Sequence, residues 1–150
     1  MDNIVGVDLS GEMIKKAEKN GIYNALHTAD LMQFLSPQIN AFNTIIASDV
    51  LCYFGDLMPI LTAFKIALKP DGILAFSLEK TDHEAYNLDA SGRYKHAQSP
   101  LQLTLGECGY NIMEIKVETL RMEHGNCVED LVVIATPLSC NSHAQIKNII

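Results

Sequence analysis

The chain has 150 residues, of which 48% are hydrophobic and 19% are charged. This composition suffices for one hydrophobic core and is short for two. Eleven Lys and Arg residues stand against 18 acidic residues, giving a formal charge of −7. No basic run is interleaved with aromatic residues, so nucleic-acid binding is disfavoured, because affinity for phosphate backbones comes largely from clustered Lys and Arg.

The sequence predicts neither a membrane anchor nor a secretory signal. Its most apolar segment, Thr44 to Phe54, is interrupted by Ser48 and Asp49 and falls short of the roughly 20 residues that span a bilayer. A basic region followed by an apolar one is absent from the first residues. The four cysteines and the histidines show no metal-ligand spacing, so we expect reduced thiols and no metal site. We therefore expect a cytoplasmic protein that binds no membrane.

The first predicted element is a strand, Ile4 to Val7, which ends at Asp8. Its β-branched residues favour a strand, and Ser10 or Asp8 can cap a helix that runs to about Lys19. Ligands of open α/β sheets bind beyond the carboxyl ends of the strands, where an acid can accept both hydroxyls of a ribose. Asp8 therefore indicates a nucleoside-containing cofactor, although the same junction also occurs as a plain helix cap.

The next two predicted strands also end in acids. One runs from about Asn24 to Thr28, and Asp30 follows it as a possible cap for a helix from Leu31 to Leu35. The other, Phe42 to Ser48, is nearly continuous in apolar residues, as expected for a strand covered on both faces. Asp49 follows this strand as either a ligand contact or a buried helix cap.

The middle of the chain predicts a helix, a turn, a strand and a loop. Gly55-Asp56 opens a helix from about Leu57 to Leu68, in which Pro59 is tolerated because it lies in the first turn. Lys69 to Gly72 predicts a tight turn with a positive φ at Gly72, followed by a strand from Ile73 to Leu78. The charged residues of Glu79 to Gln98 follow no period, which predicts a long loop over a ligand site.

The last third predicts a helix and an antiparallel hairpin. Ser99 would cap a helix that runs to Cys108, with Pro100 in its first turn. Two strands, about Asn111 to Arg121 and Glu129 to Thr136, flank a turn at His124-Gly125-Asn126. The tail from Leu138 to Ile150 has no clear period, and we expect it to be flexible.

Four segments resemble, in order and spacing, the class I S-adenosylmethionine-dependent methyltransferases: VGVDLSGEMIKKA, HTADLMQFL, FNTIIASDVLCYFGDL and ALKPDGILAFSLE. The segment SGRYKH also recurs in methyltransferase domains that follow tetratricopeptide repeats. The resemblance covers about residues 3 to 137. It implies an α/β, incomplete Rossmann-like class I methyltransferase fold with a mostly parallel sheet and a C-terminal antiparallel hairpin. It also implies a partial methyltransferase domain over residues 1–137 and S-adenosylmethionine as the cofactor.

The resemblance further implies roles for single residues. Asp8 would bind the ribose, and Asp30 would accept a hydrogen bond from the adenine amino group. The implied cofactor-binding residues are Asp8, Leu9, Met13, Asp30, Leu31, Ser48 and Asp49. Tyr53, Arg93, Tyr94 and His96 are implied on the side of the substrate, which is a small molecule or a protein side chain. No residue is identified as the general base.

One part of the family pattern does not appear in the sequence. In the family a first strand, a glycine-rich loop and a helix precede the acid-tipped strand, whereas here Met1 stands almost directly before it. The chain thus resembles an amino-terminally truncated domain, which we expect to bind S-adenosylmethionine only weakly. Without the first strand, Ile4–Val7 and Thr44–Ser48 would be apolar edges that pair with each other or drive self-association.

Two other functions remain as alternatives. The chain could be a catalytically inactive interaction module or a fragment of a longer methyltransferase gene. The missing glycine-rich loop supports this alternative. A nicotinamide dehydrogenase also places an acid after its second strand. The closing hairpin and the Ala29-Asp30 junction fit that class poorly.

Overall fold

The computed structural model describes residues 3–123 and 126–138, and these residues form two compact units that divide between Gln38 and Ile39. The predicted tail, apart from Leu138, and the first two residues of the predicted turn at His124 lie outside the described residues. Within the described ranges, no helix has the length and hydrophobicity that crossing a membrane would require.

The first unit alternates strands and helices: β1 (Val5–Asp8), α1 (Gly11–Glu18), β2 (Ala25–Thr28) and α2 (Leu31–Leu35). β1 and β2 pair in parallel, with Asp8 opposite Thr28. α1 begins after Ser10, whose hydroxyl accepts the Met13 N–H at 3.4 Å, because the first N–H groups of a helix have no partner within the helix. The predicted elements of this unit are confirmed.

The second unit contains a six-stranded sheet with helices between its strands. Its elements are β3 (Phe42–Ala47), a short 3-10 helix (Leu51–Tyr53), α3 (Met58–Ala67), β4 (Leu68–Lys80), β5 (Tyr86–Leu88), β6 (Tyr94–His96), α4 (Gln98–Glu107), β7 (Tyr110–Glu123) and β8 (Asn126–Pro137). The strand order is β5-β6-β4-β8-β7, and β3 also pairs with β4. The predicted α/β class and the closing antiparallel hairpin, β7–β8, are confirmed.

β4 is the strand on which the second unit is organised. β8 pairs with it in antiparallel orientation from Leu74 to Glu79, and β3 pairs with it in parallel up to Phe76. Glu79 is opposite Asp130 of β8 and also opposite Lys95 of β6. Because β8 occupies one edge of β4, β3 and β6 must share the other. β6 therefore continues that edge just beyond the carboxyl end of β3.

The core of the second unit lies between one face of the sheet and helices α3 and α4. Leu74, Phe76 and Leu78 of β4 are opposite Ala135, Val133 and Leu131 of β8, and all six side chains are buried. Facing positions on paired strands share a side of the sheet. From α3, Ile60, Leu61 and Phe64 are at most 1% exposed. The Tyr110 hydroxyl donates to the Leu61 carbonyl oxygen at 2.8 Å, and burial raises the pKa of Tyr110.

The predicted turn at Lys69–Gly72 is wrong, because these residues belong to β4 and Gly72 has no positive φ. From Phe42 to Thr44 β3 advances by two residues, whereas its partners advance by five, from Leu68 to Ile73. Three extra residues are thus accommodated in an irregularity of β4. Proline and glycine are tolerated there because the ladder of hydrogen bonds is locally interrupted.

The predicted long loop from Glu79 to Gln98 is also wrong in its centre, where β5 and β6 form an antiparallel hairpin. Its turn places Gly92 at a φ of 81°, and the Asp89 N–H donates to the Arg93 carbonyl oxygen at 2.9 Å. α4 starts two residues earlier than predicted, with Ala97 rather than Ser99 at its N-cap. Hydrogen bonding to β4 and β6 therefore orders a segment that its polar composition suggested was irregular.

The sequence predicts that the apolar edges of β1 and β3 pair with each other or drive self-association. The structure tests only the first of these. β1 pairs with β2 and β3 pairs with β4, so direct pairing of Ile4–Val7 with Thr44–Ser48 is not found among the strand pairs of residues 3–123 and 126–138. Self-association through such an edge stays a prediction.

Candidate functional site

In the first unit, two carboxylates lie at the same end of the paired strands. Asp8 ends β1, and its carbonyl oxygen accepts the Ala29 N–H at 3.0 Å, directly before Asp30. Because β1 and β2 are parallel, both acids are at the carboxyl edge of this sheet, where open α/β sheets bind ligands. Leu9 directly follows Asp8 and Met13 lies in the first turn of α1, and they are 75% and 49% exposed. Carboxylates next to exposed apolar side chains suit a nucleoside, which combines hydroxyls with an apolar ring face.

Both acids also have a local structural role. One oxygen of Asp8 accepts the Ser10 N–H at 2.7 Å, and one oxygen of Asp30 accepts the Gln33 N–H at 3.0 Å as the N-cap of α2. Leu31, the first residue of α2, is half-buried. A carboxylate carries about four acceptor positions, so a capping bond leaves capacity for a ligand. Capping and ligand binding are compatible at both positions.

In the second unit, the carboxyl end of β3 leads into Ser48 and Asp49, both exposed. Asp49 has a φ of 57°, in the left-handed region that few residues other than glycine adopt. Its N–H donates to the Ser77 hydroxyl at 3.4 Å. The side chain does not cap the following 3-10 helix, whose N-cap is Val50, so the interpretation of Asp49 as a buried cap is wrong.

Arg93 connects the end of β3 with β4. Its Nε donates to the Glu79 carboxylate and its Nη2 to the Asp49 carboxylate. The guanidinium carbon lies 5.7 Å from the centroid of the Tyr53 ring, within the range of a cation–π interaction. Burial lowers the pKa of Arg93, but the hydrogen bonds to Asp49 and Glu79 outweigh it and raise the pKa overall. Arg93 is therefore a permanent cation between two acids.

Glu79 is the residue of this group that the sequence did not single out. Its side chain is 2% exposed, and Lys95 Nζ lies 3.9 Å from its second oxygen. Lys95 also contacts Asp89, at 3.2 Å. Burying an ionised carboxylate without a partner costs several kcal/mol of folding free energy. This cost accounts for the presence of two cations, Arg93 and Lys95, beside Glu79. The alternation of buried residues at Leu74, Phe76 and Leu78 predicts an outward Glu79, so no sequence signal pointed to its burial.

Tyr94 and His96 belong to β6 and lie in an aromatic group with Tyr86. The rings of Tyr86 and Tyr94 meet edge to face with centroids 5.9 Å apart. Both rings crowd Gly55, where an added Cβ would be 2.8 Å from each of them. His96 is 3% exposed, and its Nε2 donates to the Phe54 carbonyl oxygen at 2.9 Å, since a carbonyl can only accept. His96 and Tyr86 also line a cavity of about 90 Å³.

We expect the buried His96 to make folding stability depend on pH. Burial lowers its pKa from 6.5, against the weaker opposite effect of the Phe54 carbonyl. Below about pH 6.5 the unfolded chain takes up a proton that folded His96 resists, so this contribution is fully present above pH 6.5 and is lost as pH falls towards the lower folded pKa. Urea unfolding of the parent and of His96→Gln between pH 7 and pH 5 tests this. The parent should lose more stability, by at most about 1.4 kcal/mol per pH unit; parallel curves would contradict it.

Comparison with known proteins identifies the family. A family model described as "Methyltransferase domain" matches residues 1–76. The ubiquinone biosynthesis O-methyltransferase of Actinobacillus pleuropneumoniae is 24% identical over 165 residues, covering 96% of this chain and 69% of the relative.

Two solved structures share the fold. One is a SAM-dependent methyltransferase from Methanosarcina mazei, with a TM-score of 0.72 and 20% identity, which covers 91% of this chain and 82% of that one. The other is the Burkholderia thailandensis 1,6-didemethyltoxoflavin-N1-methyltransferase with bound 1,6-didemethyltoxoflavin and S-adenosylhomocysteine, with a TM-score of 0.72, 15% identity and coverage of 91% and 62%. This chain belongs to the methyltransferase-domain family, and it shares the fold of solved S-adenosylmethionine-dependent methyltransferases.

Proposed function

We propose that the chain transfers the methyl group of S-adenosylmethionine to a small organic acceptor, and that Asp8 and Asp30 hold the nucleoside of the cofactor. The observation that carries this proposal is the pair of acids at the carboxyl edge of β1 and β2, at the positions where the family pattern has its ribose and adenine contacts. Leu9, Met13 and Leu31 are then the apolar contacts of the adenosine. The residues present thus fit the nucleoside part of the cofactor.

Ser48 and Asp49 are proposed to contact the cofactor near its reacting end, and Tyr53, Arg93, Tyr94 and His96 to lie on the acceptor side. The bound cofactor supplies an electrophilic methyl group on a sulfonium. The residues at the carboxyl end of β3 contribute by orientation, since holding two reactants in line can supply several kcal/mol of the barrier. The Asp49 side chain is 62% exposed and Tyr53 is 66% exposed, so both are available to a ligand.

The preference for a small acceptor comes from the relatives. The Burkholderia thailandensis enzyme was solved with 1,6-didemethyltoxoflavin, and the Actinobacillus pleuropneumoniae relative is named for ubiquinone biosynthesis. Fold alone does not fix a substrate, so the acceptor class must be measured.

Transfer of label from methyl-labelled S-adenosylmethionine tests the proposal. The purified protein is incubated with the labelled cofactor and a cell extract, and the products are separated into a small-molecule filtrate and a protein fraction. Label in a filtrate compound other than S-adenosylmethionine supports a small acceptor, and label in the protein fraction overturns that choice. Label that stays entirely on S-adenosylmethionine, with no S-adenosylhomocysteine formed, contradicts the proposed activity. Asp8→Asn is the negative control.

We also expect self-association through the edge of β3. In the second unit, β4 is the only strand that pairs with β3 among the described residues, and Ile46 of β3 is 74% exposed. An unpaired apolar strand edge recruits other chains. Sedimentation velocity across a range of protein concentrations should show dimers or larger species. Ile46→Lys should weaken the association about tenfold, which corresponds to about 1.4 kcal/mol.

The matched control for Ile46→Lys is Ile66→Lys, which introduces the same charge at an isoleucine that is 51% exposed on α3. It should associate as the parent does. A parent that stays monomeric at every concentration, or two lysine variants that weaken association equally, would show that the edge of β3 is not an interface.

A further inference from the structure

Five charged side chains of alternating sign run through the second unit. Asp49 contacts Arg93, Arg93 contacts Glu79, Glu79 contacts Lys95, and Lys95 contacts Asp89. Their exposure is uneven: the side chain of Glu79 is 2% exposed and that of Arg93 15%, whereas that of Asp49 is 62% exposed. The series thus leads from a buried acid in the sheet to an accessible acid at the carboxyl end of β3.

The buried end of this series fixes the orientation of Arg93. Arginine presents its N–H donors in a rigid planar fork. With Nε on Glu79, the outer nitrogen Nη2 is directed to Asp49, and the guanidinium lies over the Tyr53 ring. The backbone of Arg93 is held as well, since its carbonyl oxygen accepts the Asp89 N–H at 2.9 Å in the turn of the hairpin. Glu79 thereby acts on groups that it does not itself touch.

The accessible end carries a strained residue. Asp49 adopts a φ of 57°, and non-glycine residues in this region persist only where the surroundings hold them. The Ser77 hydroxyl holds its N–H, and Arg93 holds its carboxylate. Such strained positions cluster at active sites and ligand clamps. The network thus supports the part of the chain where a ligand contact is proposed.

We propose that Glu79 is a positioning residue for methyl transfer: through Arg93 it sets the Asp49 carboxylate and the Tyr53 ring at the carboxyl end of β3. The kinetic part of this inference rests on the proposed function, while its geometric part concerns the free protein. Glu79 is too deeply buried to meet a substrate, so its effect on the reaction is indirect. Lys95 forms ion pairs with the second oxygen of Glu79 and with Asp89. These contacts connect Glu79 to the β5–β6 hairpin.

Nuclear magnetic resonance of the free protein tests the geometry. The sequence contains only two arginines, Arg93 and Arg121, so the Nε–H signals are readily assigned by substitution. In the parent, we expect the Arg93 Nε–H to exchange slowly with water because it donates to a buried carboxylate. Glu79→Gln should accelerate this exchange at least tenfold and shift the backbone amide of Asp49 and the ring signals of Tyr53.

Three further variants separate positioning from mere stabilisation. Asp49→Asn should leave the Arg93 Nε–H protected, since Glu79 still holds it. Glu129→Gln is the matched control, because Glu129 is an exposed acid paired with Lys80 in the same sheet, and it should leave Arg93, Asp49 and Tyr53 unchanged. If Glu79→Gln does not fold, Arg93→Lys provides the same test, because an ammonium keeps the charge but loses the two-sided fork. It should shift the Asp49 amide.

Rates of S-adenosylhomocysteine formation test the consequence for the reaction. Glu79→Gln and Asp49→Asn should each lower kcat about tenfold, and the double variant should be no slower than the slower single one, because both remove the same unit. Arg93→Lys should also lower kcat. It would keep the kcat of the parent if only the positive charge at this position mattered.

Either of two results overturns the inference. One is an Asp49 amide and a Tyr53 ring that do not shift in Glu79→Gln. The other is a set of rate losses that multiply in the double variant. A parent without methyl transfer would contradict the proposed function alone, since the resonance experiment on the free protein still decides the geometry.

Discussion

Asp8→Asn should weaken the binding of S-adenosylhomocysteine about tenfold to hundredfold while leaving the fold of the first unit intact. Asparagine keeps an oxygen that can accept the Ser10 N–H, which in the parent lies 2.7 Å from the carboxylate. Asparagine lacks the negative charge. Its amide nitrogen is a donor, whereas the carboxylate oxygen that it replaces would accept a hydrogen bond from a ribose hydroxyl. Hydrogen bonds to charged groups contribute about 1.5 to 3 kcal/mol each, and about 1.4 kcal/mol is a factor of ten in affinity. Isothermal titration calorimetry measures the change.

Comparison with other variants separates binding from capping. Asp8→Ala should lose the ligand and also about 1 kcal/mol of stability, since nothing then accepts the Ser10 N–H. Glu18→Gln removes the same charge at the last turn of α1 and should bind as the parent does. Equal affinity of the parent and Asp8→Asn would mean that Asp8 serves only the turn before α1.

Asp30 should respond differently to the same substitution. The adenine amino group is a donor, and the side-chain oxygen of asparagine can accept from it as well as from the Gln33 N–H, now 3.0 Å from the Asp30 carboxylate. Asp30→Asn should therefore lower affinity much less than Asp8→Asn, whereas Asp30→Ala should lower it clearly. An equal response of the two acids to asparagine would argue against the ribose and adenine assignments.

The elements of the first unit were predictable because their signals are local. Ser10 and Asp30 each cap the helix that directly follows, through bonds to N–H groups three residues away. The β-branched run before Asp8 needs only a neighbouring strand to become β1. Short-range hydrogen bonding therefore decided these boundaries, and tertiary packing did not override it.

The β5–β6 hairpin was missed although a signal for it was present. Tyr86-Asn87-Leu88 and Tyr94-Lys95-His96 each begin with a tyrosine, which favours strands, and the segment between them contains Asp89 and Gly92, which favour a reversal. The charged residues of this segment follow no period, which suggests an irregular loop. In the structure two of them form an ion pair within the hairpin, Asp89 with Lys95.

The network around Arg93 could not be predicted from sequence. Arg93 meets Glu79 and Asp49 over separations of 14 and 44 residues. The contact depends on β6 continuing the edge of β4 beyond the end of β3. A pairing of strands at that distance leaves no trace in residue spacing, so only the resemblance had drawn attention to Arg93, and nothing had drawn attention to Glu79.

Gly72→Val should destabilise the protein, for a reason that differs from the expected positive φ. A Cβ added at Gly72 would lie 2.9 Å from Leu68 Cδ2, 3.0 Å from the Lys69 carbonyl oxygen and 3.1 Å from the Asn43 carbonyl oxygen. Two of these neighbours are backbone atoms at the irregularity where β4 accommodates three extra residues, so they cannot rotate away. Overpacking of this kind costs about 1 to 3 kcal/mol, and valine adds two further methyl groups that need space.

Thermal unfolding followed by circular dichroism measures this effect, with Gly106→Val as the matched control. Each kcal/mol corresponds to about 4 °C in a domain of this size, so Gly72→Val should lower the Tm by roughly 4 to 12 °C. An added Cβ at Gly106 meets nothing within 4 Å, and this position lies inside α4, where valine is a better helix former than glycine. Gly106→Val should therefore leave the Tm unchanged or raise it slightly. Equal melting temperatures for the two valine variants would contradict this prediction. They would mean that the backbone around Gly72 shifts to make room, and that the nearby carbonyl oxygens of Asn43 and Lys69 do not restrict this position to glycine.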